Sequence, residues 1–233
     1  MLSFLRLKYN NRKQKHFYRR LIRTYDIKKV FDIGANVGKK TMLFLEEDCK
    51  VLALEPNSAC FTVLEDLKKK YAELRTERLA LSDSETTLQF HLGNHPEIGT
   101  LSEKMIQQFT YEKEVYWDKE ETVQTTTFDQ LVSEYFYPDF LKLDCEGWDH
   151  VIILSLRKPV KLIEFEFTAP FSVECIASIK HLSEIGNYEF NFSPYEQSKL
   201  MFTSWLNSEQ LITKINEMKG HIIHGNIYAF NIL

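Results

Sequence analysis

A glycine-containing turn near the N-terminus has the residue types of a ligand-binding loop. Asp32-Ile-Gly-Ala-Asn-Val-Gly38 stands between a short apolar run and a segment with helical periodicity. Glycine lets the backbone approach a ligand closely, and the unpaired N–H groups at the start of a helix can donate hydrogen bonds to it. The turn therefore predicts ligand contacts by Asp32, Gly34, Asn36 and Gly38.

The same turn separates two classes of nucleotide-like ligand. An NAD-dependent oxidoreductase or epimerase needs a Gly-x-Gly-x-x-Gly turn that seats pyrophosphate on the helix N-terminus, but Asn36 stands at the second glycine position. The carboxylate of Asp32 would repel phosphate, whereas it would attract the α-amino group of a ligand without phosphate, such as S-adenosylmethionine. We therefore expect a methyl donor at this turn rather than a dinucleotide.

Two further segments complete the predicted donor site. Glu55 ends the next apolar run, where its carboxylate can accept hydrogen bonds from both ribose hydroxyls, and Pro56-Asn57 follows as turn and helix start. A solvated strand-end acid or a helix cap is the alternative role for Glu55. Ala80-Leu-Ser-Asp83 is expected to line the adenine, with Ser82 or Asp83 as the partner of its exocyclic amine.

Several carboxylates follow two later apolar runs and are candidates for catalysis. Methyl transfer to a hydroxyl needs in-line alignment and the loss of a proton that a free alcohol holds tightly. Asp144, Glu146 and Glu166 are the predicted catalytic residues, with Glu164 on the same strand face as Glu166. One of them can act as the base, two can hold Mg²⁺ that acidifies the hydroxyl, or they can be structural. Lys142 is interpreted as a neutralising partner.

Strands and helices alternate in a way that would bring these motifs to one edge of a sheet. We expect an α/β fold with a doubly wound, mostly parallel sheet of seven strands, a reversed last strand and helices on both faces. Residues 93–121 lack periodicity and are predicted to form an inserted loop region. Strands are predicted at 29–33, 50–55, 77–82, 87–92, 122–127, 140–144, 161–167, 188–192 and 221–231.

The charge is distributed unevenly along the chain. Residues 1–30 hold ten Lys/Arg and one acid, while the whole chain holds 29 Lys/Arg and 33 Asp/Glu. Such a segment can contact an anionic membrane or nucleic acid, or it can be a helix whose apolar stripe packs on the body. We expect the packed helix, and we divide the chain into a basic N-terminal helical arm at 1–28 and a catalytic domain at 29–233.

The hydropathy of the chain and its cysteines indicate in which cellular compartment the protein is expected. No apolar run approaches the roughly 20 residues that cross a bilayer, and the first residues lack the pattern of a secretion signal. Four cysteines stand at irregular spacing without a Cys-x-x-Cys pair, which predicts reduced thiols rather than a disulfide framework or a zinc site. We expect a cytoplasmic protein.

Four motifs together resemble those of the FkbM-type methyltransferases in order and approximate spacing. They are Asp32-Ile-Gly-Ala-Asn-Val-Gly38, Glu55-Pro56-Asn57, Ala80-Leu-Ser-Asp83 and Leu141-Lys-Leu-Asp-Cys-Glu-Gly147. The resemblance implies a class I methyltransferase (Rossmann-like) fold, S-adenosylmethionine as the donor, and usually O-methylation of sugars or hydroxylated natural products. The family usually has a small residue and an acid where this chain has Trp148 and Asp149, and the bulky ring of Trp148 is a departure that bears on the acceptor.

The expected function is therefore S-adenosylmethionine-dependent O-methylation of a saccharide or a hydroxylated natural product. The acceptor is expected to be a small molecule or a glycan, and nucleic acid is disfavoured. Three alternatives stay open from the sequence: a nucleic-acid methyltransferase, an NAD-dependent oxidoreductase or epimerase, and an S-adenosylmethionine-binding module without catalysis.

Overall fold

The computed structural model describes residues 2–95, 98–109, 115–195, 198–218 and 224–232, with side chains described from residue 12 onward. Ten strands and eight helices lie within these ranges. The strands are β1 (Lys29–Ile33), β2 (Lys50–Leu54), β3 (Leu74–Glu77), β4 (Ala80–Ser82), β5 (Thr87–Gly93), β6 (Trp117–Thr127), β7 (Phe140–Leu143), β8 (Leu162–Thr168), β9 (Tyr188–Pro194) and β10 (His224–Asn231). The helices are α1 (Leu2–Thr24), α2 (Lys39–Leu45), α3 (Ser58–Lys68), α4 (Glu103–Phe109), α5 (Phe128–Glu134), α6 (Asp149–Ser155), α7 (Ser172–Ile185) and α8 (Ser208–Met218).

Seven of the strands form the central sheet, in the order β3-β2-β1-β7-β8-β10-β9. The pairs from β3 to β8 are parallel, and β10 runs antiparallel to both β8 and β9. In β1 and β2 every residue after the first is buried, which is typical of parallel strands covered on both faces. The predicted doubly wound sheet of seven strands with a reversed last strand is confirmed, and the fold is that of class I methyltransferases.

Helices cover both faces of this sheet, as the alternation of apolar residues predicts. Phe31, Leu141 and Ile163 share one apolar cluster with residues of α5, α6, α7 and α8. Val30 and Phe140 point to the opposite face, where they share a second cluster with residues of α1, α2 and α3. The carboxyl ends of β1, β2 and β7 are left open between the two layers.

The basic helix α1 packs against the second of these clusters. Phe17, Leu21 and Ile22 are almost fully buried, and the Phe17 ring meets Tyr228 edge to face at a centroid distance of 5.5 Å. Tyr25, the residue directly after α1, is partly buried and packs against the same cluster. The N-terminal segment is therefore a helix with an apolar stripe on the body of the protein.

Two predictions about the segment between residues 77 and 121 are wrong. The strand predicted at 77–82 is two strands, because the chain leaves the central sheet after Glu77 and β4 joins a second sheet of order β4-β6-β5. The region 93–121, expected to be a loop, contains α4 and most of the solvent-exposed half of β6, which pairs with β5. The first half of β6, residues 117–121, has charged residues at exposed positions and little apolar alternation, so it was not predicted as a strand. Residues 96–97, 110–114 and 221–223 lie outside the described ranges.

The described helices can be compared with the requirements of a membrane span. None of them combines the length and the apolar character that a transmembrane span needs.

Candidate functional site

A cavity of about 1240 Å³ opens at the carboxyl ends of the parallel strands. This is where open α/β sheets bind their ligands. Its lining includes residues of the turn after β1, the turn after β2, the residues around β4, and the segment after β7. Of the predicted site residues, those in the lining are Gly34, Asn36, Glu55, Pro56, Asp144 and Glu146.

Glu55 is the best-anchored acid of the predicted donor site. The residue is 6% exposed, and its two carboxylate oxygens accept hydrogen bonds from the backbone N–H groups of Asn36 (2.7 Å) and Asn57 (2.8 Å). Burial raises the pKa of Glu55 to about 7, although these two N–H groups and Lys142 act in the opposite direction. Each oxygen keeps a second lone pair for a ligand hydroxyl.

Pro56 and Asn57, which follow Glu55 in the chain, have different roles. Pro56 lies in the cavity lining, whereas Asn57 caps α3 through its side-chain oxygen, which accepts hydrogen bonds from Ala59 N (3.0 Å) and Cys60 N (3.3 Å). Asn57 is therefore a buried support for Glu55 and the helix, outside the lining itself.

The two glycines of the first turn are required by contacts inside the protein. Gly34 has a φ of 69°, and a Cβ there would lie 2.0 Å from the backbone oxygen of Asp144. Gly38 has a φ of 79° at the start of α2, and a Cβ there would press on Leu64 and Leu67 of α3. Gly34 lines the cavity and Gly38 does not, so close approach to a ligand is not the reason for the second glycine.

Asp32 is completely buried beneath the turn and is not in the cavity lining. Its carboxylate forms an ion pair with Lys142 at 2.9 Å and accepts a hydrogen bond from Thr41 at 2.6 Å. The structure thus assigns Asp32 a role as the counter-ion of a buried lysine. Lys142 is the neutralising partner that the sequence analysis expected, and contact of Asp32 with a ligand amino group stays a prediction.

The expected adenine wall is formed by different residues of the same segment. Leu79, Ala80 and Leu81 line the cavity. Ser82 is buried and donates a hydrogen bond to Asp83 at 3.2 Å, and Asp83 is exposed; neither lies in the lining. An apolar surface suits the faces of an adenine ring, while a side-chain partner for its amine stays a prediction.

The three predicted catalytic carboxylates come together in the structure. Asp144, Glu146 and Glu166 each offer an oxygen within 4.8 Å of the others. Asp144 and Glu146 line the cavity, and Glu166 approaches them from β8. The sequence places these carboxylates at the ends of neighbouring strands, and the parallel pairing of β7 with β8 brings them together there.

Two lysines determine the state of Asp144. Lys40 Nζ lies 3.0 Å and Lys142 Nζ 3.5 Å from Asp144 Oδ2. Burial acts to raise the pKa of Asp144, but the two ammonium groups outweigh it and lower the pKa to about 2. Asp144 is therefore a firmly ionised carboxylate, suited to orienting a hydroxyl or holding a cation.

Lys40 is the site residue that the sequence analysis missed. It lines the cavity, and its Nζ also lies 3.7 Å from the fully buried Glu164, which accepts hydrogen bonds from Tyr18 (2.8 Å) and Asn226 (2.8 Å). One signal was available: Lys39 and Lys40 occupy the first turn of α2, where the helix dipole disfavours cations. A lysine in that position indicates a carboxylate nearby.

The departure from the family pattern also lies at the site. Trp148 is in the cavity lining. Asp149 is buried at the start of α6, and its carboxylate accepts a hydrogen bond from Cys145 N at 3.3 Å. Burial, followed by the charge of Asp144, raises the pKa of Asp149 to about 6. Trp148 therefore contributes to the space around a ligand, and Asp149 supports the loop behind it.

Comparison with solved structures gives distant likenesses, three of which are as follows. A precorrin-6Y C5,15-methyltransferase from Geobacter metallireducens GS-15 is 14% identical over 88% of this chain and 81% of its own, with a TM-score of 0.44. A SAM-dependent methyltransferase from Archaeoglobus fulgidus is 14% identical over 93% and 94%, with a TM-score of 0.38. The plantazolicin methyltransferase BpumL in complex with SAH is 6% identical over 97% and 84%, with a TM-score of 0.42. No curated protein matches the chain.

Sequence comparison with protein families identifies the family of this chain, which these structural likenesses do not. The family described as the methyltransferase FkbM domain matches residues 32–200. This range covers most of the chain and contains all four motifs, the cavity-lining carboxylates and Lys40. The chain therefore belongs to the FkbM family of S-adenosylmethionine-dependent methyltransferases.

Proposed function

We propose that this methyltransferase acts on a hydroxyl oxygen of a small-molecule or glycan acceptor. The observation that supports this most is the pairing of Lys40 with Asp144 inside the cavity that also contains Glu55. A carboxylate beside a cation can hold an alcohol by its hydrogen and stabilise charge on its oxygen.

The residues in the cavity fit the methyl donor. Both oxygens of Glu55 face hydrogen-bond donors and retain lone pairs for two ribose hydroxyls, and the apolar stretch from Leu79 to Leu81 suits adenine. Ligand pockets commonly measure about 300–1,000 Å³. At about 1240 Å³, the cavity has room for a donor together with at least part of an acceptor.

Within this proposal the chain positions the acceptor and manages its proton. S-adenosylmethionine supplies an electrophilic methyl group on a sulfonium, and the acceptor oxygen takes that methyl as the carbon–sulfur bond breaks and a neutral thioether leaves. Asp144 accepts the hydrogen bond of the attacking hydroxyl, and Lys40 stabilises the negative charge on its oxygen. Because its pKa is near 2, Asp144 is a weak base, so the proton passes on to Glu146 or to water.

A bound Mg²⁺ is the second way to acidify the hydroxyl. Asp144, Glu146 and Glu166 offer the carboxylate oxygens that this ion prefers, within 4.8 Å of one another. Chelation of the enzyme, followed by return of Mg²⁺, distinguishes the two versions.

The proposal is tested by titration and by turnover. Isothermal titration should detect S-adenosylmethionine and not NAD, and incubation with hydroxylated acceptors should convert the donor to S-adenosylhomocysteine. Methylation at nitrogen or carbon of the product, established by mass spectrometry and NMR, would refute the O-methylation. Donor binding without turnover over a broad acceptor set would indicate the binding module instead.

Replacing Glu55 tests the donor site directly. Glu55→Ala should weaken S-adenosylmethionine binding by about 1.5–3 kcal/mol, or roughly 10- to 150-fold, because hydrogen bonds to a charged group are lost. The matched control is Glu85→Ala, an exposed acid outside the cavity lining, which should bind the donor like the parent. Equal affinity of Glu55→Ala and the parent in calorimetry would remove Glu55 from the site.

The raised pKa of Glu55 predicts a pH dependence of donor binding. Ribose hydroxyls donate to the ionised carboxylate, so binding lowers the Glu55 pKa from about 7 and releases a proton below that pH. Donor affinity should therefore rise as the pH increases from about 5.5 to 7.5, with a slope of up to tenfold per pH unit at the acid end. Glu55→Gln should show a flat profile. A flat profile of the parent enzyme would contradict the prediction.

A further inference from the structure

Helix α1 carries two separate rows of cations. Lys15, Arg19 and Arg23 form one row at spacings of four residues, and their partners are acids of the segment after α2. Lys15 forms an ion pair with Glu46 at 2.7 Å, and Arg23 forms one with Glu47 at 3.1 Å. Arg19 also forms an ion pair with Glu47. This row is neutralised by the body of the protein.

The second row lies along the cavity and is not neutralised in the same way. Arg12 and Arg20, two turns of the helix apart, line the cavity together with His16 between them. Lys199 lines it from the segment after β9. Within the part of the chain whose side chains are described, Arg12, Arg20 and Lys199 form no ion pair.

This row is held in place and is separate from the donor motifs. Phe17, between the two arginines, is 4% exposed and belongs to the apolar core, so α1 presents the row from a fixed position. The donor motifs lie instead on the turns after β1 and β2 and around β4. The cations therefore border the part of the cavity that the donor motifs leave for an acceptor.

Like charges on one wall of a cavity repel each other unless an anion joins them, and the acids of this lining, Glu55, Asp144 and Glu146, belong to the turns after β2 and β7 rather than to α1. The protein as a whole has a net charge of −4, so general attraction to anions is not the reason for the arrangement. A cavity wall of one sign concentrates ligands of the opposite sign, and arginine matches phosphate oxygens with paired donors. This wall of the cavity therefore favours a ligand with at least one phosphate.

Resting on the proposed function, we propose that the acceptor of this enzyme is a phosphate-bearing small molecule. Arg12 and Arg20 bind its phosphate, and Lys199 adds a third positive charge to the same lining. A sugar phosphate and a nucleotide-linked sugar share this chemistry. A nucleic-acid strand or a membrane would need a more extended basic surface, and the neighbouring row of α1 is already paired with Glu46 and Glu47.

The experiment compares two double variants that lose the same charge. Arg12→Gln with Arg20→Gln removes the cavity row, and Lys15→Gln with Arg23→Gln removes two cations of the paired row. Inorganic pyrophosphate is titrated into each protein saturated with S-adenosylhomocysteine, at about 0.15 M ionic strength, where charges are screened beyond about 8 Å. Uridine and UDP form a second pair of probes that differ in the diphosphate.

We expect pyrophosphate and UDP to bind the parent and uridine to bind much more weakly. The cavity variant should lose at least about tenfold in pyrophosphate affinity, the scale of one charge-assisted hydrogen bond, while the control variant stays within about twofold. No binding of pyrophosphate to the parent, or equal losses in both variants, would overturn the proposal. So would a short single-stranded oligonucleotide that binds the parent tightly and loses affinity equally in both variants.

Failure of this proposal and failure of the proposed function give different results. S-adenosylmethionine titrated into the same three proteins reports the donor site, which contains none of the four substituted residues. Normal donor binding with no phosphate binding would reject the anionic acceptor alone. Absence of donor binding in the parent would reject the methyltransferase function whatever pyrophosphate does.

Discussion

Asp144→Asn is expected to lower the rate of methyl transfer by about 10²–10⁴ while leaving donor affinity nearly unchanged. The substitution keeps the volume of the side chain but removes the charge that holds Lys40 at 3.0 Å. The amide of Asn also carries an N–H donor at a position where the hydroxyl of the substrate needs a hydrogen-bond acceptor. The loss should therefore fall on the chemical step.

The measurement is single-turnover methyl transfer with the true acceptor, because a slow surrogate can hide a chemical defect behind poor positioning. Donor affinity of Asp144→Asn by calorimetry is the internal control. Chelator treatment of the parent then separates the two versions: activity that is lost and then restored by Mg²⁺ indicates the cation, and unchanged activity indicates the carboxylate with Lys40. Full activity of Asp144→Asn would exclude both versions and move attention to Glu146 and Glu166.

Lys142→Met is expected to destabilise the fold by about 3–5 kcal/mol, the usual cost of removing one partner of a buried ion pair. Lys142 is 1% exposed and Asp32 is 0% exposed, at an ion-pair distance of 2.9 Å. Burial acts to lower the pKa of Lys142, but the charges of Asp32 and Asp144 outweigh it and raise the pKa. The variant would leave Asp32 as a buried charge with one hydrogen bond from Thr41.

Urea unfolding with a fixed slope measures this loss. The control is the double variant Asp32→Asn with Lys142→Met, which removes both charges and should recover a large part of the free energy of unfolding. A destabilisation below about 1 kcal/mol in the single variant, or no recovery in the double variant, would contradict the coupling between the two residues.

The order of elements and the location of the donor motifs were predictable from the sequence because both depend on short stretches of chain. Apolar runs such as residues 29–33 and 50–54 are buried on both faces, and the polar turn that follows each run marks the ligand edge of the sheet. The assignment of Glu55 to the cavity follows from this local pattern. The first half of β6, residues 117–121, escaped prediction because its exposed positions carry charge.

Strand register decided which charged groups lie next to each other. Local sequence patterns carry no information about register. Asp32 lies directly beside Lys142 in β1 and β7, and Lys142 lies beside Glu164 in β7 and β8. The three residues form one polar row across the buried face of the sheet under α1 and α2. Their positions in the chain are far apart, so no short window of sequence joins them.

By itself, the sequence determined the class I fold, the donor motifs and the set of candidate carboxylates. The tertiary structure decided what each of these residues does: Asp32 neutralises Lys142, Lys40 keeps Asp144 ionised, and one row of α1 faces the cavity while the other faces Glu46 and Glu47. The physical reason is that a motif can be recognised from the residue types and backbone preferences of a short stretch of chain. The charge state and the partner of a buried group depend instead on every element packed around it.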